Sequence, residues 1–328
     1  MDRHHGTLDD GERDKSMMTD QIDEKDTSNG VEGTVGVKRR ILPVLDGTVC
    51  VYEAGDPNRS AIVLLHGAMY DESRFIWDAL FPALSERYHV FAIDTPRHGG
   101  SRPWQGVLDR ARLMEILAET LSQLKLTRFS ITGLSMGGGL AIEYASLHPE
   151  QVETMVLFEP GGIGDKVDLQ WFTYFYIRTP GMLRLLSRQY VKYSDAKIEK
   201  VLRSIYTKGT APRNSARLTA ILKDEIRGKF NFGEQDMDDW QIGAINLTKL
   251  NWNLLSQVEA IRCPTLWLRG AESRLVKQAE MERAVRLAGL HGSSAELIVI
   301  PKAGHILPLE QPEQANAAVL DFFSKNLK

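Results

Sequence analysis

Seven short apolar runs, each closed by turn residues, limit what this chain can fold into. They are "TVCVYEA" (48–54), "AIVLLHG" (61–67), "HVFAID" (89–94), "RFSITGLS" (128–135), "VETMVLFE" (152–159), "PTLWLRG" (264–270) and "AELIVIP" (295–301). Segments of helical period lie between several of them, at 74–86, 108–124, 136–147, 276–288 and 312–326. Runs that are apolar at consecutive positions must be covered on both faces. Alternation with helices therefore predicts βαβ units and an α/β fold, a mostly parallel twisted sheet flanked by helices. The first run alternates polar and apolar residues and reads as an antiparallel strand at the sheet edge.

The alternation breaks between 163 and 250, where the chain is helical in period and aromatic and offers no strand. An insertion of this size between two strands predicts a helical cap over the carboxyl ends of the sheet, where ligands of open α/β sheets bind. The expected organisation is a core in two parts, 35–162 and 251–328, with the cap at 163–250. Residues 1–34 are rich in Asp, Glu, Thr, Ser and Gly and poor in branched apolar residues. Such a segment buries too little surface to offset its ordering entropy and reads as a disordered tail.

A net charge of −3 gives no electrostatic footprint for nucleic acid. Cys50 and Cys263 both sit in apolar runs, which suits reduced buried thiols rather than a disulfide framework, and neither has metal-ligand spacing. The N-terminal residues show no basic region followed by an apolar run, so no secretory signal is expected. The most apolar uncharged stretch, "LQWFTYFYI" (169–177), falls far short of the roughly 20 residues that span a bilayer. A cytoplasmic protein acting on a small molecule, with no membrane span, is the expectation. "GLSMGGG" is not a dinucleotide fingerprint, and no cofactor or metal is expected.

The chemistry centres on "FSITGLSMGGGLAIEYA" (129–145). Gly133-Leu134-Ser135-Met136-Gly137 is G-x-S-x-G, placed where an apolar strand gives way to a helix. That context suits a nucleophile elbow: the glycines let strand and helix approach, and the serine projects from a sharp turn. A serine hydroxyl is a weak nucleophile at neutral pH and needs a base. His305 lies in a loop after the last strand, in the chain order of nucleophile, then acid, then histidine. Backbone N–H groups of Met136 and Ala68 are the expected oxyanion donors. His66 and His98 read as turn-stabilising residues, and Glu310 with Pro312 as a helix start.

On these motifs the chain resembles a capped, esterase/haloperoxidase-like serine hydrolase of the α/β-hydrolase fold. "LLHGAMYDESRFIWDAL" (64–80) is similar to that family's H-G-x loop. "IDTPRHGGS" (93–101) resembles its D-x-P-G-x-G-x-S turn with Arg97 in place of a glycine, and "AGHILPLEQPEQAN" (303–316) resembles its G-H-x-x-x-x-E-x-P segment. The resemblance implies an acid three residues after Gly270, where Ser273 stands instead. Two glutamates compete for the role. Glu272 is one residue early. Glu159 ends the strand after the elbow helix, a place where some members of the fold carry their acid, and is preferred for its better-defined strand end.

The leading expectation is a serine hydrolase cleaving a small carboxylic ester, lactone or thioester through an acyl-enzyme. A carbon–carbon bond hydrolase or cofactor-free perhydrolase on the same residues, and a small-molecule receptor of the same fold, are the alternatives.

Overall fold

The computed structural model describes residues 30–211 and 214–327. Eight strands form one sheet: Lys38–Val44 (β1), Gly47–Ala54 (β2), Ala61–Leu65 (β3), His89–Ile93 (β4), Phe129–Leu134 (β5), Val152–Phe158 (β6), Thr265–Gly270 (β7) and Ala295–Ile300 (β8). Their spatial order is β1-β2-β4-β3-β5-β6-β7-β8. β2 runs antiparallel to both β1 and β4, and every other pairing is parallel.

The sheet follows from side-chain alternation with both faces apolar. Ile62, Leu64, Leu266 and Leu268 point to one face, where they pack with Phe81, Phe322 and Phe323. Val63, Leu65 and Trp267 point to the other, against Leu117, Leu140 and Met281. Period-two alternation between two hydrophobic layers leaves these strands no solvent face. Ser73–Ile76 (α1), Leu80–Ser85 (α2) and the C-terminal Pro312–Asn326 (α13) cover the first face. Arg110–Gln123 (α3), Met136–Leu147 (α4) and Gln278–Ala288 (α11) cover the second.

Three sequence expectations are corrected. The strand at 47–54 is not the edge, because β1 lies outside it. The sequence "KRRILPV" hides that strand behind three cations and Pro43, features that an edge tolerates and a central strand does not. The single helix read at 74–86 is two, α1 and α2. Pro82 has no N–H to give Asp78, so the helix restarts with the proline in its first turn. The expected tail at 1–34 lies outside the described residues up to position 29, but Val31 is fully buried, so the packed chain begins before 35.

Between β6 and β7 the described residues form a helical insertion of Gln170–Arg178 (α5), Met182–Tyr190 (α6), Asp195–Ile205 (α7), Ser215–Asn231 (α8) and Asp239–Ala244 (α9). Leu255–Glu259 (α10) then leads back into the sheet. Helices α7 and α8 send Ile198, Leu202, Leu218 and Ile221 into the same apolar layer as α1 and α2. A buried ionic lattice ties this helical insertion to the turn after β4. Arg102 bonds Glu225 at 2.7 Å and Glu234 at 2.9 Å, the Gly99 N–H donates to Glu225, and Lys229 lies 3.6 Å from Asp238. Arg97 has a left-handed backbone, at φ 64°, and its guanidinium reaches Asp239 at 2.8 Å.

Candidate active site

Strand order reverses at β3, with β4 on one side and β5 on the other, so the loops leaving β3 and β5 diverge and open a crevice at their carboxyl ends. Ser135 sits there, between β5 and α4, with φ 50° and ψ −112°. A non-glycine residue rarely holds such a backbone, and strain of this kind persists only where the surroundings enforce it. The glycines on either side explain how they do. A side chain at Gly137 would strike the Leu65 carbonyl, and one at Gly133 would strike the Gly137 backbone. The Ser135 N–H donates to the Phe158 carbonyl at 3.0 Å, and its own carbonyl accepts from Gly161 at 2.7 Å. The serine is thereby fixed to the end of the adjacent β6.

The loop after β3 closes on the same point. The Gly137 N–H donates to the His66 carbonyl at 3.1 Å, bringing the His66-Gly67-Ala68 turn against the start of α4. Among the described residues, neither the Met136 nor the Ala68 N–H donates to a backbone carbonyl outside the helix, so both remain open to a ligand oxygen. The Asp71 carboxyl accepts the Gly67 N–H at 2.6 Å and the Glu72 N–H at 2.9 Å, which holds this turn in shape. Burial pushes that carboxyl up to about 8, against the lowering effect of the two amides.

His66 is fully buried. Its Nε2 accepts the Thr95 N–H at 2.9 Å and its Nδ1 faces the Gly67 carbonyl at 2.6 Å. Burial lowers its ring to about 4, keeping it neutral, and lowers the neighbouring His98 as well. Both rings brace the turn after β4, as the sequence predicts for turn residues.

Glu159 follows β6 with φ 42° and is fully buried. Its carboxylate receives three groups. Oε1 accepts the Gly270 N–H at 3.0 Å, while Oε2 accepts the Ser273 hydroxyl at 2.6 Å and lies 2.7 Å from Nδ1 of His305. Ser273, standing where the resemblance called for an acid, is therefore a hydrogen-bond donor to a carboxylate that comes from the neighbouring strand. Glu272 is exposed; its N–H bonds the Ala303 carbonyl at 2.9 Å.

The His305 loop packs closely on the end of β7, where a side chain at Gly270 would strike the Gly304 carbonyl. Glu310 is not a helix start: it closes the short helix Leu307–Glu310 (α12) and turns its carboxylate back to accept the N–H groups of Gly304, at 2.9 Å, and of Thr207, at 2.8 Å. It thus joins the histidine loop to the end of α7. The Pro312 reading holds, since that proline opens α13. The sequence does not single out Ser273 or Asp71 for these contacts: the Ser273 bond depends on which loop faces which, and the Asp71 bonds depend on how the loop after β3 turns back on itself.

His305 is partly exposed, and a pocket of about 900 Å³ opens beside it, lined by Tyr206, Thr207, Ser273, Arg274 and Gly304 among others. Among the described residues, neither Ser135 Oγ nor His305 Nε2 has a hydrogen-bond partner. Catalytic contacts are often open in the absence of substrate. The Nδ1 side of the His305 ring is held by Glu159, and its Nε2 side has no partner among the described residues. No group of His, Cys, Asp and Glu suited to a metal ion occurs among the described residues, and no helix there is long and apolar enough to cross a membrane.

The sequence profile of the alpha/beta hydrolase family matches residues 62–319. The chain is 24% identical over 276 residues to the dihydrolipoyllysine-residue acetyltransferase component of the acetoin cleaving system of Pseudomonas putida, covering 84% of this chain but 66%, just under two thirds, of that relative. It is 23% identical to a putative esterase/lipase of Haemophilus influenzae, covering 82% of this chain and 85% of the relative. Among solved structures, a carboxylesterase from Bacillus subtilis superposes with a TM-score of 0.66 at 20% identity, covering 88% of this chain and 92% of that one.

Proposed function

The chain belongs to the alpha/beta hydrolase family, and from that premise we propose that it is a serine hydrolase of small carboxylic esters, lactones or thioesters. The observation that carries the reading is the 2.7 Å contact between Glu159 and Nδ1 of His305, on the strand end to which Ser135 is hydrogen-bonded. In this reading Ser135 Oγ attacks the substrate carbonyl and its proton passes to Nε2 of His305. The Nδ1–H donates to Glu159, whose charge stabilises the imidazolium as it forms. The developing oxyanion takes hydrogen bonds from the Met136 and Ala68 N–H groups, which need no reorganisation to receive it. The leaving alcohol or thiol departs with the proton from Nε2. Water then attacks the acyl-enzyme with His305 as base, releasing the acid and freeing Ser135. Every step uses protein groups and water.

The buried Glu159 meets the requirement for a charged orienting group better than Glu272 does. Its carboxylate has donors on both oxygens, and a buried carboxylate without partners is strongly disfavoured. A series of p-nitrophenyl esters of increasing acyl length tests the reading. Turnover of the shorter esters well above the Ser135→Ala background is expected; rates equal to that background for every ester would refute hydrolysis and leave a ligand-binding role.

A further inference from the structure

The stretch 169–193 departs from the rest of the chain in composition. It holds seven aromatic residues and four cations, Arg178, Arg184, Arg188 and Lys192, with no Asp or Glu, in a chain of net charge −3. Helix α5 buries only Gln170 and Ile177. Its other side turns Trp171, Phe172 and Phe175 outward, at 62, 52 and 58% exposure. Positions i, i+1 and i+4 form one stripe on a helix, so these rings share a face. Leu169 just before the helix and Leu185 on α6 add exposed apolar surface. The rings contact each other, Trp171 with Phe172 at 6.2 Å and Phe172 with Tyr176 at 5.9 Å. Arg178 lies 4.1 Å over the Tyr174 ring, which keeps a cation beside the stripe. Arg184 and Arg188, both exposed, stand one turn apart on α6.

A contiguous exposed apolar face of this kind marks a contact surface rather than ordinary surface scatter. Its chemistry selects the occupant. Tryptophan and phenylalanine flanked by arginine and lysine suit the boundary between lipid headgroups and acyl chains, where rings are buried and cations meet phosphates. A second copy of the chain suits it poorly, since it would set four cations against four others with no carboxylate in either stretch. We propose that the α5–α6 face docks on anionic lipid bilayers, lying in the interface without spanning it. The proposal goes beyond the hydrolytic reading and does not depend on it.

The test is co-sedimentation of the purified full chain with phosphatidylcholine vesicles that contain or lack phosphatidylglycerol. Binding to the anionic vesicles, weaker binding to the neutral ones, and loss of the difference at high salt are expected. Combined W171S, F172S and F175S substitution should lower the partition onto anionic vesicles by about tenfold or more, with far-UV circular dichroism unchanged because these side chains are exposed. Combined R184Q and R188Q should weaken binding to anionic vesicles only. The proposal is overturned if the natural sequence binds neither vesicle, if the triple variant binds as well as the natural sequence, or if the triple substitution converts a dimer to a monomer without changing vesicle binding.

Discussion

Two buried carboxylate sites flank the sheet's carboxyl edge, and they differ in what is left open. At Glu159 both oxygens are satisfied, but one partner is His305, whose ring keeps its far nitrogen free and partly exposed. At Arg102 the cation is enclosed by Glu225 and Glu234, all three almost fully buried. The first arrangement holds an imidazole ring on one side and leaves its other nitrogen unpaired among the described residues. The second uses the whole guanidinium for anchoring, with Glu225 and Glu234 of the insertion on one hand and the turn carbonyls of Arg97 and Gly99 on the other. On the proposed reading, the same ionic materials serve catalysis or anchoring according to whether one partner retains an unused face.

This contrast can be broken from either side. Glu159→Gln removes the charge behind His305 and should lower kcat for a p-nitrophenyl ester by about 10³-fold or more, while Glu272→Gln stays within about threefold of the natural sequence. Steady-state kinetics on the two variants would expose a reversed assignment. Arg102→Ala leaves two buried carboxylates without their cation and should cost about 3 kcal/mol of stability in urea unfolding. An effect confined to kcat, with stability unchanged, would show that the lattice does not anchor the insertion.

Ser273→Ala tests the support of the acid. It removes one of three donors to Glu159 and should reduce kcat/KM by about tenfold with the fold intact, since a charged-group hydrogen bond contributes roughly 1.5 kcal/mol or more. The last test reads a pH slope rather than a loss of activity, and it belongs to Asp71, a buried carboxyl that accepts two amide hydrogens and feels the negative charge of Asp94 and Glu225. Its folded value near 8 exceeds the unfolded value of about 4. Between those limits the unfolded chain is ionised and the folded chain is not, so stability falls as pH rises through the window. Asp71→Asn abolishes that titration. Its Tm should gain on the natural sequence between about pH 5 and about pH 8, and parallel Tm profiles would refute the assignment.

Much of the fold was legible because its signals are local. The apolar runs, the glycines around Ser135 and the helical period of 163–250 each fix an element within a few residues. What escaped the sequence was long-range or masked. β1 hides behind Lys38, Arg39, Arg40 and Pro43, because an edge strand need not be apolar. The choice between Glu159 and Glu272 stayed open because both follow strands, and local spacing does not say which one faces a ring 146 positions from Glu159. The contact of Ser273 likewise spans 114 positions and depends on β6 and β7 being neighbours in the sheet. A serine in the place of an expected acid reads as a loss until the adjacent strand is known.

The proposed hydrolysis requires His305 to lean on Glu159, and the hydrogen between them is directly observable. Proton NMR of histidine-¹⁵N-labelled protein should show the His305 Nδ1–H far downfield and protected from exchange, as a ring hydrogen held by a buried carboxylate is. The resonance should vanish in Glu159→Gln and persist in Glu272→Gln. Its persistence in Glu159→Gln, or its loss in Glu272→Gln, would contradict the assignment.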